Sequence, residues 1–575
     1  MSNPILPAAP SCPPAFFGRR KGGRGWQRLV KSSVLFSIAL LLAALLTNGC
    51  KTTEPARPTP KPTPAPKPTN TVTIHADQKI GTINPNIYGH FAEHLGHCIE
   101  GGIWVGPDSE IENVRGIRTD VVQALKKIKP PVIRWPGGCF ADSYHWRDGI
   151  GPRDQRPKTV NVHWGRVIEN NHFGTHEFFD FCKQVGAEPM IAANVGNGTP
   201  EELRDWLEYL NYNGDSTLAN MRTQNGNPEP FNLRYLCIGN ENWGCGGSMA
   251  PSQYAQLYRQ FSEYCHFPPK EGFYRIACGP SSADYTWTTE FFEEISGRRA
   301  KGRNRIGRIE AFDMHYYTGA KSYGTATEYT TDQWYGLLKK SLRVEELIQK
   351  HWDIMAEYDP GHSVKLGVCE WGTWHHVMPG TNRKFLRQQN TIRDAMVAAL
   401  TLNVFNRNCD KVGMANIAQT VNVLQAMILT DGPKMLTTPT YHVFEMYVPH
   451  QGAEALQCEV QTEQINFADR NEQKTVPRIA ASCSRKDNTI TLSLINTHAT
   501  DYTTVKLNFP GLADVKLKSW LILGGEIHAH NTFKDPDRIV PRDLIKIIHT
   551  SKPMIAKLHL PAASINVLTY AVKED

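Results

Sequence analysis

Short apolar runs alternate with amphipathic segments along most of the chain. The segments between the runs place apolar residues at helical spacing. Apolar strands that alternate with helices indicate a parallel sheet, and eight such strands predict a (β/α)8 TIM barrel. The eight predicted strands and the loops that follow them lie in 87–97, 132–140, 189–194, 235–238, 274–279, 310–317, 365–370 and 412–419.

After residue 436 the pattern changes to a period of two. The stretches 489–496, 504–509 and 564–571 alternate apolar and polar residues, and no long helical pattern separates them. Such alternation is typical of strands with one buried face. We therefore predict a C-terminal antiparallel β-sandwich, jelly-roll-like, over 437–575. The barrel is expected over 87–436, and 71–86 is expected to supply an N-terminal strand to the sandwich.

The N-terminal stretch has the pattern of a targeting segment. Basic residues precede a run of thirteen apolar or small residues, 34–46, which is short for a membrane span and ends near Gly49-Cys50. Either ordinary signal cleavage or lipid attachment at Cys50 fits this pattern. Residues 1–50 are therefore interpreted as a signal or lipoprotein-type segment and 51–70 as a Pro/Thr-rich linker. The expected location is outside the cytoplasm: periplasmic, at the cell surface, or lipid-anchored to a bacterial membrane.

Charge argues against a nucleic-acid partner. The chain carries a formal charge of +7, but residues 1–70 hold ten Lys or Arg and one acid. The remainder is therefore close to neutral and lacks the basic footprint that nucleic-acid binding requires.

Of the 13 cysteines, eleven lie beyond residue 50 at irregular spacing. That spacing is not a disulfide framework, although one or two bridges remain possible.

Two carboxylates occupy equivalent places at strand ends. Glu241 follows the run 235–238 and is preceded by Asn240, and Glu370 ends the run 365–369. A single Glu here could simply cap the next helix. Because active sites of β/α barrels lie at the carboxyl ends of the strands, and glycoside hydrolysis uses two carboxylates, the pair predicts a glycosidase site.

Other polar and aromatic side chains are expected at the same mouth. A zinc cluster of His90, His94 and His97 with Glu93 is the less favoured interpretation, because the flanking pattern indicates a strand rather than a helix. The aromatic loop 144–149 either stacks on a sugar or covers the barrel. Expected around the site are Glu93, Cys139, His315, Tyr317 and Gln419, and no metal or cofactor is expected.

Several motifs in order resemble the α-L-arabinofuranosidases of glycoside hydrolase family 51. The resemblance runs from about residue 72 to the C-terminus. The targeting segment and linker lie outside it. The motifs are Ile-Tyr-Gly-His-Phe-Ala-Glu-His-Leu-Gly (87–96), Arg-Trp-Pro-Gly-Gly-Cys-Phe (134–140), Trp-Arg-Asp-Gly-Ile-Gly-Pro (146–152), Phe-Gly-Thr-His-Glu-Phe (173–178), Gly-Asn-Glu (239–241), His-Tyr-Tyr (315–317), Glu-Trp (370–371), Ala-Asn-Ile-Ala-Gln (415–419) and Asn-Thr-Phe-Lys-Asp-Pro (531–536).

The resemblance implies a retaining, exo-acting enzyme that releases terminal arabinofuranosyl groups from arabinan or arabinoxylan-type glycans. It implies Glu241 as the acid/base and Glu370 as the nucleophile, and a homo-oligomer, often a hexamer. It further implies that sugar hydroxyls are held by Glu93, Asn240, Tyr317 and Gln419, with Cys139 at a position that is Cys or Asn in the family, and that Trp146 lies near the leaving group.

Two alternatives remain open at this stage. A retaining xylosidase or endoglucanase on the same barrel would use the same carboxylates in a different pocket. A non-catalytic surface glycan-binding protein would not need both strand-end acids.

Overall fold

The computed structural model describes residues 70–297, 308–512, 514–545 and 557–572. The predicted targeting segment and most of the predicted linker lie outside these ranges. No helix in the described ranges has the length and apolar character needed to cross a membrane.

The strands of the described residues are, in chain order, β1 (Asn70–Thr82), β2 (Gly89–Phe91), β3 (Asn113–Val114), β4 (Ile117–Arg118), β5 (Val132–Trp135), β6 (Thr159–Val160), β7 (Ile168–Glu169), β8 (Glu188–Ala193), β9 (Tyr235–Ile238), β10 (Tyr274–Ser281), β11 (Ala311–Gly319), β12 (Lys365–Trp374), β13 (Val412–Ala418), β14 (Ile428–Asp431), β15 (Lys434–Thr437), β16 (Glu454–Gln461), β17 (Gln464–Asp469), β18 (Glu472–Pro477), β19 (Ile479–Lys486), β20 (Thr489–Asn496), β21 (Thr503–Asn508), β22 (Val515–Gly524), β23 (Arg542–Asp543), β24 (Lys557–Leu560) and β25 (Ser564–Val572).

The α-helices are α1 (Thr119–Ile128), α2 (Thr175–Val185), α3 (Pro200–Asn211), α4 (Thr217–Gln224), α5 (Pro251–Glu263), α6 (Tyr285–Ser296), α7 (Thr331–Tyr358), α8 (Ile392–Arg407) and α9 (Pro439–Tyr447). Several begin at a side-chain cap. The Thr199 hydroxyl accepts a hydrogen bond from the backbone N–H of Glu202, as the sequence predicted for α3. The Thr330 and Gln333 side chains form a reciprocal capping box at the start of α7.

Eight parallel strands close into a barrel. Neighbours around it follow the chain, β2, β5, β8, β9, β10, β11, β12 and β13, and β13 pairs with β2. The barrel interior is filled by buried apolar side chains, among them Val132, Met190, Ile276 and Met414, so the barrel is a packed core rather than a pore. The predicted TIM barrel is confirmed.

The first barrel strand is much shorter than the sequence pattern suggested. It has three residues, and a 3₁₀ turn over Pro85–Tyr88 precedes it. Gly89 lies so close to β13 that an added Cβ would fall 2.7 Å from the carbonyl oxygen of Ala415. This close approach closes the barrel and leaves Glu93 just beyond the end of β2.

The C-terminal strands hydrogen-bond into one nine-stranded, mostly antiparallel sheet. Its order is β23, β22, β25, β20, β19, β16, β1, β21 and β24. Strand β1 pairs antiparallel with β16, Thr71 opposite Gln461, and parallel with β21. The predicted fold class, a TIM barrel with a C-terminal antiparallel β-domain, is confirmed. The strands of that domain, predicted as a jelly-roll-like sandwich, pair into one continuous sheet, and the exact domain boundaries stay predictions.

Candidate active site

The carboxyl ends of β11 and β12 place three polar side chains side by side. His315 is in register with Glu370 on the neighbouring strand, and Tyr317 lies two residues further along β11. The phenol of Tyr317 donates to Glu370 Oε2 at 2.9 Å. His315 Nδ1 lies 3.7 Å from the same oxygen. Parallel pairing therefore turns the separate motifs at 315–317 and 370–371 into one surface.

Glu241 approaches from the loop after β9. Its backbone is in the left-handed region, with φ +41°, which costs free energy for a residue with a Cβ. The carboxylate accepts a hydrogen bond from His315 Nδ1 at 2.9 Å. One oxygen of Glu241, one oxygen of Glu370 and a ring nitrogen of His315 all lie within 4.8 Å of one another. The sharp turn thus aims Glu241 across the barrel mouth at Glu370.

The two carboxylates have different partners. Burial and the nearby charge of Glu370 raise the pKa of Glu241, and the hydrogen bond from His315 offsets part of that rise. Glu370 accepts from two groups, because Arg134 Nη1 also donates to its Oε1 at 2.8 Å. Groups whose surroundings differ in this way are suited to different roles in one reaction.

A buried ion-pair network holds His315. Its Nε2 lies 3.0 Å from Asp313 Oδ2. Burial lowers the pKa of His315, but the charges of Glu370 and Asp313 outweigh this, so the pKa lies well above its usual value. The carboxylates on both sides of the imidazole favour its protonated form, and its Nδ1 contact orients Glu241.

Glu93 and Gln419 form a second polar group at the mouth. Gln419 Nε2 donates to Glu93 Oε2 at 3.0 Å, and Trp164 Nε1 donates to Glu93 Oε1 at 2.8 Å. Burial, reinforced by the charge of Glu370, raises the pKa of Glu93 to about 7. A carboxyl with this pKa can donate or accept a hydrogen bond near neutral pH.

Asn240 is oriented by Arg134. Arg134 Nη2 donates to Asn240 Oδ1 at 2.5 Å. Since this occupies the carbonyl oxygen, the amide Nδ2 is the atom left to donate, and it makes one long contact, 3.9 Å, with Cys245 Sγ. Arg134 therefore fixes Asn240 and Glu370 together.

Cys139 is bonded to another cysteine. It forms a disulfide with Cys245 that joins the loop after β5 to the loop after β9, and the other nine cysteines of the described residues are free. The cysteine spacing left one or two disulfide bridges possible, and this is one. Its sulfurs lie beside Glu241, with Cys245 Sγ 3.6 Å from Oε2.

Trp146 lies apart from these groups. It is 1% exposed, stacks on Trp206, and donates its Nε1 hydrogen to the carbonyl of Glu202. In this structure the Trp146 side chain packs on helix α3. An aromatic contact with the site residues comes instead from Trp164, and a role for Trp146 near the leaving group stays a prediction.

The three histidines near Glu93 do not converge. His90 packs against Phe444 outside the barrel, and His94 contacts Glu169 and Trp135. In the part of the chain that the structure describes, the side-chain groups spaced to hold a metal are Cys139–Glu241–Cys245 and Glu241–His315–Glu370, and neither includes these histidines.

Sequence reasoning missed four contributors. Arg134 and Asp313 lie inside barrel strands, where a charged side chain in an apolar run was the available signal. Trp164 lies in the loop of a short hairpin, where the sequence shows no strong apolar periodicity. Trp374 packs edge-on against Tyr317, and its signal was its position four residues after Glu370.

A closed (β/α)8 barrel with two carboxylates so close at its mouth defines a glycoside hydrolase of the paired-carboxylate type. Comparison with known proteins gives the family. A family model described as "Alpha-L-arabinofuranosidase 1 domain" matches residues 124–335, and one described as "Alpha-L-arabinofuranosidase C-terminal domain" matches residues 370–564.

Individual relatives agree with these models. The chain is 45% identical over 503 residues to an intracellular exo-α-L-arabinofuranosidase of Bacteroides ovatus, covering 87% of this chain and 95% of the relative. A crystal structure of a family 51 arabinofuranosidase from Xanthomonas axonopodis pv. citri is 42% identical, with a TM-score of 0.81 and coverage of 87% and 100%. An arabinose complex of the Thermotoga maritima enzyme is 29% identical, with a TM-score of 0.73 and coverage of 87% and 99%.

The chain belongs to the α-L-arabinofuranosidases of glycoside hydrolase family 51. The resemblance found in the sequence motifs is confirmed. Neither a xylosidase or endoglucanase on the same barrel nor a non-catalytic glycan-binding protein is favoured by these comparisons.

The predicted location is wrong. Export to the periplasm, the cell surface or a lipid anchor was expected from the first 50 residues, whereas the relative from Bacteroides ovatus is named an intracellular enzyme. A basic stretch before a short apolar run is a compositional pattern, and by itself it does not establish export.

Proposed function

We propose that Glu370 is the nucleophile and Glu241 the acid/base of a retaining, exo-acting α-L-arabinofuranosidase. The observation that carries this proposal is that a carboxylate oxygen of Glu241 lies within 4.8 Å of a carboxylate oxygen of Glu370. Retaining glycosidases hold their carboxyl groups about 5–5.5 Å apart, whereas inverting ones need about 6.5–9.5 Å to admit a water. The separation here leaves no room for that water.

The reaction follows from the partners of each carboxylate. Glu370, held by Arg134 and Tyr317, attacks the anomeric carbon while Glu241 gives its proton to the leaving oxygen. A covalent arabinosyl-enzyme forms. Glu241 then takes a proton from water, which attacks the same carbon and releases arabinose with its configuration retained.

The other site residues hold the furanose ring. The N–H groups of Asn240 point away from Arg134 and are suited to bind the 2-hydroxyl, where contacts strengthen in the transition state. Glu93 and Gln419 form a hydrogen-bonded pair suited to the remaining hydroxyls. The family resemblance and these hydrogen-bonding groups support a terminal arabinofuranosyl group of an arabinan or arabinoxylan-type glycan as the substrate.

The first experiment follows the product by proton NMR. With 4-nitrophenyl α-L-arabinofuranoside, the α-anomer of arabinose should form first and then mutarotate. Initial release of the β-anomer would mean inversion and would contradict the role of Glu370.

Variants then separate the two carboxylates. Glu370→Ala should lose turnover on all substrates. Glu241→Ala should lose about 10²–10⁴-fold in kcat/KM on alkyl arabinofuranosides and far less on activated aryl ones, because only poor leaving groups need a proton. Glu345→Ala, a matched exposed carboxylate on α7, should behave as wild type. Equal losses on both substrate types in Glu241→Ala would reject its role as acid.

The oligomeric state is also part of the proposal. We infer a homo-oligomer from the family resemblance, and exposed apolar side chains support it: Val160, Val162 and Ile168 are 52–63% exposed on one hairpin. Size-exclusion chromatography with light scattering should give a multiple of the 64.6 kDa chain mass. A monomer at micromolar concentration would contradict the inference.

A further inference from the structure

The Cys139–Cys245 disulfide differs from the other cysteines in its surroundings. Both of its residues are partly exposed, whereas the free cysteines of the described residues are buried, except for the partly exposed Cys265. The bridge borders Glu241 at the barrel mouth. A disulfide that solvent can reach at an active site can be reduced without unfolding the protein.

The three groups have the spacing of a metal site. The two sulfurs and an oxygen of Glu241 all lie within 4.8 Å of one another, and Cys245 Sγ is 3.6 Å from Glu241 Oε2. Tetrahedral zinc binds sulfur at about 2.3 Å and carboxylate oxygen at about 2.1 Å, which places the two ligands about 3.6 Å apart. The Glu241–Cys245 pair already has this separation.

The sulfur–sulfur distance is the one that must change. Two thiolates on tetrahedral zinc lie about 3.8 Å apart, more than in a disulfide, so the bond must break before a metal can enter. Thiolate and carboxylate ligands together suit zinc, and a fourth position would face the solvent at the mouth. The oxidised and metal-bound forms therefore exclude each other.

We propose that the reduced Cys139–Cys245 pair binds a zinc ion together with Glu241, and that the disulfide is the form protected from the metal. The reductant is a dithiol. Its thiolate attacks one sulfur, the Cys139–Cys245 bond breaks, and a mixed disulfide forms. The second thiol of the reductant then attacks the mixed disulfide and closes the reductant's own disulfide. The reductant thereby supplies two electrons and two protons, and Cys139 and Cys245 become thiols. Zinc binding releases both thiol protons.

Zinc at this position would switch the enzyme off. A carboxylate bound to a cation cannot carry the proton that the leaving group needs, so glycosyl transfer stops while the fold stays intact. This consequence rests on the proposed function of Glu241, whereas metal binding itself does not.

The test of binding uses cobalt as a spectroscopic probe. Full-length protein is reduced with dithiothreitol, desalted without oxygen and titrated with Co²⁺. The reduced protein should develop thiolate-to-cobalt charge-transfer absorption, with one ion bound per chain, and the oxidised protein should not. Zinc should displace the cobalt and abolish the band.

Variants identify the ligands. Cys139→Ser and Cys245→Ser should each lose the band, and Glu241→Gln should weaken the affinity by at least about tenfold. Cys265→Ser, which removes a remote and partly exposed thiol, is the matched control and should bind as the reduced wild type does. A band that survives in the Cys139→Ser variant, or equal metal binding by the oxidised protein through Glu241, His315 and Glu370, would overturn the proposal.

Activity separates this proposal from the proposed function. Zinc should inhibit the reduced enzyme at least tenfold more strongly than the oxidised enzyme, and a chelator should restore the rate. Cobalt binding by the cysteine pair without any inhibition would retain the metal site and reject Glu241 as the acid. Inhibition without the charge-transfer band would retain that role and reject the site.

Discussion

At the scale of single residues, the site depends on groups that are crowded together in the barrel mouth. Gly138 shows how close the packing is, because a Cβ at this position would lie 2.6 Å from Glu370 Oε1. His315 shows how charge is distributed, because one buried imidazole contacts Glu241 on one side and Asp313 on the other. Small changes at either residue should affect catalysis before they affect folding.

Gly138→Ala should therefore lower kcat/KM by about 10²-fold, since a reacting group displaced by an ångström costs about that much. The melting temperature should change little, because the contact is with a side chain. Gly361→Ala is the control, as a Cβ there would meet only Asp359 Oδ1 at 4.0 Å. Wild-type kinetics in Gly138→Ala would show that Glu370 adapts to the methyl group.

His315→Asn should shift the pH profile of activity. The hydrogen bond from His315 lowers the pKa of Glu241, so its loss lets burial raise that pKa further. Glu241 then keeps its proton to higher pH, and the alkaline limb of kcat/KM on an alkyl arabinofuranoside should move upward.

The exposed His97→Asn variant provides the comparison. An alkaline limb that stays in place or moves downward in His315→Asn would show that this imidazole does not set the pKa of Glu241.

At the scale of elements, the hairpin of β6 and β7 contributes a side chain, Trp164, that contacts Glu93 at the barrel mouth. Asn161 fixes it: its Nδ2 donates to the His94 carbonyl at 2.7 Å and to Glu169 at 2.9 Å, and its Oδ1 accepts from the backbone N–H of Trp164. These bonds place the Trp164 indole on Glu93. A two-strand hairpin is marginal alone, so its position depends on such buried contacts.

Asn161→Ala should raise KM and lower kcat/KM by about tenfold, because Trp164 loses its fixed position. A double-mutant cycle supplies the control. If Asn161 acts only through Trp164, Asn161→Ala should add nothing to a Trp164→Ala variant. Additive losses in kcat/KM would assign Asn161 a separate role.

At the scale of the whole molecule, the barrel and the C-terminal sheet share a core. One continuous cluster of buried apolar side chains contains barrel and helix residues such as Trp334 together with Ile495, Leu523 and Ile565 of the sheet. The Trp334 indole on α7 also donates to the Thr497 carbonyl at 2.9 Å. The two parts should therefore unfold together.

Trp334→Ala should lower the free energy of unfolding by about 3–5 kcal/mol, because it empties a fully buried site and leaves the Thr497 carbonyl without a donor. Denaturant unfolding should still show one transition by both tryptophan fluorescence and circular dichroism. Two separated transitions in the wild-type protein would contradict the shared core.

Much of this architecture could be read from the chain. Periodicity located the barrel strands and most of the long helices, because a strand buried on both faces needs a continuous apolar run and a helix on a sheet needs an apolar stripe. Position at a strand end selected Glu241, Glu370, His315, Tyr317 and Gln419 for the mouth. These signals are local, and local signals survive in a single sequence.

Other features depend on contacts between distant residues. Three features join residues that are remote in sequence: the Cys139–Cys245 bridge, the Arg134 contacts to Asn240 and Glu370, and the hydrogen bond from Trp164 to Glu93. The sequence by itself determined which strands carry candidate catalytic and binding residues at their carboxyl ends. Only the tertiary structure decided how those ends face one another, because closing the barrel sets distances between residues that no periodicity along the chain encodes.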